Sequence, residues 1–113
     1  MESKEIRLRC WIEIEEKKFF GPGPAQLLKL IHKEGSIAKA AKTMGMSYKK
    51  AWDIVTDLNS RGKSPYVISR KGGERGGGAE LTEKGIEVVR KYGELIDSLE
   101  SVAKQYKYLI EIV

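Results

Sequence analysis

Residues 36–59, SIAKAAKTMGMSYKKAWDIVTDLN, carry the spacing of two short helices crossing at a tight corner. Ala40, Ala41, Met44, Met46, Ala51, Ile54, Val55 and Leu58 fall on one inward-facing set. Ala41 is small where the helices approach, and Gly45 stands at the turn, where a positive φ is expected. Ser36 and Ser47 are placed to cap the two helices, and Gly35 to stop the helix before them. The stretch predicts a helix-turn-helix, which makes nucleic acid the first partner to consider.

The first turn of the second helix reads Ser47, Tyr48, Lys49, Lys50. Cations here oppose the positive end of the helix dipole, where Asp or Glu would be favoured, so local stability does not account for them. An external anion does: a DNA phosphate, or the O6/N7 edge of a guanine met by the tip of a recognition helix. The charge distribution agrees. Of the net +5, residues 1–16 carry −2, residues 17–75 carry +9 and residues 76–113 carry −2. A cationic middle between acidic flanks is the footprint of a surface that meets a polyanion.

Upstream, Ile6, Leu8, Cys10, Ile12 and Ile14 alternate with polar or exposed-type residues. This predicts a half-buried strand that turns through Glu15–Lys18 into a short hairpin ending at Phe19 and Phe20. Cys10, on the apolar face, is read as a small buried hydrophobe. Gly21-Pro22-Gly23-Pro24 breaks the chain, and Leu27, Leu28, Leu30 and Ile31 stripe the helix that follows. His32 lies beside that stripe with no nucleophile or carboxylate in a recognisable motif, so it is read as a helical surface residue.

Downstream, Tyr66–Arg70 and Ala79–Thr82 are predicted strands joined by the glycine-rich stretch Gly72–Gly78, forming a wing whose loop carries Lys71 and Arg75. A nucleotide-binding loop fails on spacing: Gly62-Lys63-Ser64 resembles the end of one, but Asp57 stands where its first glycine belongs. From Thr82 the chain predicts one long helix. Val89, Ile96, Ala103 and Ile110 repeat every seventh residue, and Tyr92, Leu99, Tyr106 and Val113 repeat in the complementary register, as a coiled-coil seam requires.

Composition bounds the functional classes. With 41% hydrophobic and 33% charged residues the chain reads as globular, and no apolar run approaches a membrane span. MESKEIRL has no signal-peptide core, giving a cytoplasmic expectation. One cysteine and one histidine leave neither an internal disulfide nor a His/Cys metal site. No catalytic constellation is visible, so neither an enzyme, a cofactor nor a metal is expected.

The expected fold is mostly α with small β: a winged helix-turn-helix over residues 1–82 with an N-terminal hairpin. A C-terminal dimerisation helix, residues 83–113, belongs to the same unit. GSIAKAAKTMGMSYKKAWDIVTDLN, preceded by FFGPGPAQLLKLI and followed by RKGGERGGGAELTEKG, resembles the N-terminal DNA-binding domain of the ModE family of molybdate-responsive transcriptional regulators. More distantly, it is similar to the helix-turn-helix region of LysR-type regulators. The resemblance covers nearly the whole chain and implies a homodimeric DNA-binding regulator with each recognition helix in a major groove. Full-length members carry C-terminal oxyanion-binding domains; the chain ends at Val113, so molybdate sensing is not expected within this polypeptide.

On this reading Tyr48, Lys49 and Asp53 face base edges. Ser47 is expected to contact DNA with them at the helix tip, and Lys50, Thr56, Arg61, Lys63, Arg70, Lys71 and Arg75 hold the backbone. Trp52 is expected to pack under the wing. Val89, Tyr92, Ile96, Leu99, Ala103, Tyr106 and Ile110 are the expected dimer contacts. The alternative is a winged-helix interaction module whose basic face binds an acidic protein.

Overall fold

The computed structural model describes residues 2–73 and 76–113. Strands β1 (Ile12–Ile14) and β2 (Lys17–Phe20) form an antiparallel hairpin, followed by helices α1 (Pro22–Glu34), α2 (Ile37–Met44) and α3 (Tyr48–Arg61). A second antiparallel pair, β3 (Val67–Gly73) and β4 (Gly76–Leu81), leads into α4 (Glu83–Gln105) and α5 (Lys107–Ile112). This is a winged helix-turn-helix, mostly α with small antiparallel β elements.

Local signals set the three central helices. Ser36 Oγ accepts from the Lys39 amide at 3.1 Å and Ser47 Oγ from the Lys50 amide at 3.0 Å, so both predicted caps are made. Gly45 closes α2 at φ 71°, the left-handed conformation that a side chain resists, and turns the chain into α3. Phe20, Leu27, Leu28, Ile31 and Leu58 are the largest fully buried side chains. Around them pack Ala40, Ala41, Ala51 and Val55 from the helix-turn-helix, and Val67, Ala79 and Leu81 from the wing. The Ala79 amide donates to the Gly35 carbonyl at 3.0 Å, pinning β4 to the end of α1.

Three expectations change. Only Ile12–Ile14 of the long N-terminal alternation is a strand; Leu8 and Ile12 are exposed and Ile6 and Cys10 half-buried. Alternation marks one face as apolar but does not supply a partner strand, and here residues 5–9 lie beside α4 and α5 instead. The wing strands run further into the glycines than predicted, to the pair Gly73 and Gly76, with an irregular register after Arg70 and Gly78. The long helix breaks at Tyr106 (φ −104°, ψ 22°), where Tyr106 N bonds Ala103 O and Leu109 N bonds Tyr106 O in tightened turns. No described helix is long and apolar enough to cross a membrane.

Candidate nucleic-acid interface

Because Ala51, Val55 and Leu58 turn one stripe of α3 into the core, Tyr48, Lys49, Lys50, Trp52, Asp53 and Thr56 are left on its exposed side. Its first turn contains no acidic residue. The two lysine ammoniums therefore add to the positive helix end, an arrangement that favours an incoming anion. Lys49 Nζ lies 3.0 Å from Asp53 Oδ2, with 83% and 58% of the two side chains exposed. Such a pair contributes only about 0.3–0.5 kcal/mol, so a phosphate or base edge can displace it. Lys50 has no ion pair among the described residues.

The wing is tied to α3 by one side chain. Asn59 Oδ1 accepts from the Tyr66 and Val67 amides at 2.8 and 3.2 Å, while Asn59 Nδ2 donates to the Val67 carbonyl at 2.9 Å. Arg70 on β3 is exposed, with Nε 4.0 Å from Glu80 Oε2, and Lys63 is exposed in the α3–β3 connection. Arg75 and the side chain of Lys71 lie outside the described residues.

Arg61 is placed differently from expectation. Its guanidinium donates to Lys18 O at 3.0 Å, Lys17 O at 3.3 Å and Asp57 Oδ2 at 2.9 Å, and lies 5.4 Å from the centre of the Phe19 ring. It holds the β1–β2 hairpin against α3 rather than facing a phosphate. Three hairpin carbonyls, Ile14 O among them, converge on its fork, which the sequence spacing does not reveal. Trp52 also departs from expectation. Instead of packing under the wing it is 44% exposed, its ring nearly parallel to that of Tyr48 (13°) at 6.5 Å between centroids.

The expected dimer seam divides. Tyr92 is buried in the chain's own core, edge-on to Phe20, with its hydroxyl donating to Cys10 O at 2.7 Å. Val89 and Ile96 pack against the same core. Ala103 and Ile110 line a groove of about 710 Å³ against residues 5–9. Leu99 is half-buried and Tyr106 is 61% exposed. Outside this seam Leu95, Val102 and Leu109 are exposed at 41%, 50% and 51%, every seventh residue along α4 and α5.

No family model matches the sequence. Direct relatives do: the transcriptional regulator ModE of Yersinia pestis is 38% identical over 81 residues, 72% of this chain and 31% of that protein. The DNA-binding transcriptional dual regulator ModE of Escherichia coli K12 matches at the same identity and coverage. The molybdenum-pterin-binding protein MopA of Rhodobacter capsulatus is 42% identical over 74 residues, 66% of this chain and 28% of that protein. The chain carries a ModE-family N-terminal domain. It spans under a third of the length of these relatives.

Within this ModE-family domain, Asn59 and Trp52 are the two α3 residues that spacing arguments read least well. Asn59, at the end of α3, gave no periodic signal because its role is a hydrogen-bond clasp to the wing. Trp52 sits next to the buried Ala51, and one residue's rotation on the helix separates core from exposed face.

Proposed function

We propose that the domain binds double-stranded DNA sequence-specifically, as a homodimer, and thereby regulates transcription. The observation that carries this reading is the exposed, acid-free first turn of α3, with Lys49 and Lys50 beside its capped end. The fixed wing strand flanking that helix supports it, as does the similarity to regulators named DNA-binding. Tyr48, Lys49 and Asp53 face base edges; Lys50, Thr56, Lys63, Arg70, Lys71 and Arg75 serve the backbone.

The dimer reading rests on α4 and α5. Leu95, Leu99 and Val102 recur at steps of four and three on α4, the spacing of a two-helix seam, and Tyr106, Leu109 and Val113 continue the exposed apolar surface past the break. The radius of gyration, 17.1 Å, exceeds the roughly 13 Å of a compact chain this long, as expected of a helix reaching past its own core. Two domains joined this way would present their α3 helices to half-sites about 34–36 Å apart, or a multiple of that. Selection of bound duplexes from a random library tests the whole reading: recovery of an inverted repeat supports it, and absence of duplex binding at low salt overturns it.

A further inference from the structure

Tyr48 and Trp52 form the one aromatic pair on the exposed side of α3 among the described residues, at 53% and 44% exposure. An i,i+4 side-chain contact of this kind stabilises a helix by only about 0.2–0.5 kcal/mol, too little to account for leaving an indole in water. Its indole N–H makes no hydrogen bond within the described residues, unlike that of Trp11, which donates to Glu13 at 2.8 Å. The pair is bordered by Lys49 and Lys50 on the same turn, so an apolar plate lies inside a cationic frame. A polyanion with an apolar feature in reach matches both parts. In the major groove the apolar group that base pairs present is the C5-methyl of thymine, with the O4 acceptor beside it.

We propose that Tyr48 and Trp52 read thymine methyl groups, making Trp52 a specificity-determining residue of the interface. The proposal rests on the DNA-binding reading above and adds which base the helix selects. The rings close over the methyl group, and the Trp52 Nε1–H donates to an acceptor at the same base edge or the adjoining phosphate. Each ring has only two side-chain torsions to fix, so contact is made at small entropic cost.

The test uses the full chain and a duplex it has selected from a random library, in which each thymine is replaced in turn by deoxyuridine, removing the methyl alone. At one or two positions per half-site, affinity is expected to fall on the order of fourfold, the change that burying a single carbon of this kind carries. With Trp52→Ala the same replacements should change nothing further, while Trp52→Phe should keep part of the discrimination. Circular dichroism of both variants checks that the fold is retained. Methyl removal that is without effect everywhere, or equally costly in Trp52→Ala, overturns the thymine reading while leaving DNA binding intact. Failure to bind any duplex overturns the DNA reading and this inference with it.

Discussion

Asn59 and Val67 exchange two hydrogen bonds: the Val67 amide donates to Asn59 Oδ1 at 3.2 Å, and Asn59 Nδ2 donates to the Val67 carbonyl at 2.9 Å. A side chain here does what a neighbouring strand would do, and so sets the angle between α3 and the wing. Asn59→Asp keeps the acceptor but sets a carboxylate oxygen against the Val67 carbonyl. Urea denaturation should report a loss of about 1–3 kcal/mol. An unchanged midpoint would show that the wing is held by other contacts.

Thr82 makes the matching joint on the far side of the wing. Its hydroxyl donates to Pro65 O at 2.7 Å and accepts from the Gly85 amide at 3.0 Å, while its own amide reaches Tyr66 O at 2.9 Å. Thr82→Ala should cost about 0.5–2 kcal/mol through the lost cap. Gly85→Ala should cost more, since an added Cβ would stand 2.3 Å from the Tyr66 carbonyl oxygen, and backbone must move to admit it. Thermal melts of the two variants, ranked against each other, check the order.

Alkaline pH should destabilise the fold through two buried phenols. Burial raises both Tyr66 and Tyr92 above the ordinary 10.0; the Lys84 ammonium partly opposes this at Tyr66, and negative charge on Cys10 adds to it at Tyr92. Their contribution to stability is complete below the unfolded value and is lost as pH rises through the raised folded values. Urea midpoints should therefore stay level with respect to these groups up to about pH 10 and fall beyond it. Tyr92→Phe should flatten that fall, at the cost of the hydroxyl's bond to Cys10 O.

What could be read from the sequence was what neighbours in the chain decide. Ser36, Ser47, Gly35 and Gly45 act within a turn of their own position, and the structure uses all four as predicted. Arg61 and Trp52 escape such a reading because their environments come from elsewhere: hairpin carbonyls more than forty residues upstream for one, an open surface for the other. The seven-residue repeat on α4 was real, but periodicity does not say what covers a stripe. Tyr92 and Ile96 meet the chain's own core, while the neighbouring Leu95 and Val102 remain open.

That division makes the dimer reading separable from folding. Leu95→Glu combined with Val102→Glu should give a folded monomer by sedimentation at tens of micromolar, because both positions are exposed. Ile96→Glu should instead lower the melting temperature, since Ile96 packs against the core. If the double variant sediments like the unaltered chain, the pairing surface lies elsewhere.

Lys50 and Arg61 offer the sharpest contrast on the proposed DNA face, because charge alone would assign them the same work. Lys50 is exposed at the tip of α3, whereas the Arg61 guanidinium is taken up by Asp57 and the hairpin carbonyls. Lys50→Ala should leave stability nearly unchanged and lower the slope of log affinity against log salt by about 0.9, the counterion release of one phosphate contact. Arg61→Ala should do the opposite: loosen the hairpin and lower the urea midpoint while the slope holds. Affinity titrations from about 50 to 200 mM salt, paired with denaturation of the same variants, separate the two. A reduced slope in Arg61→Ala would mean that its guanidinium leaves the hairpin when DNA arrives.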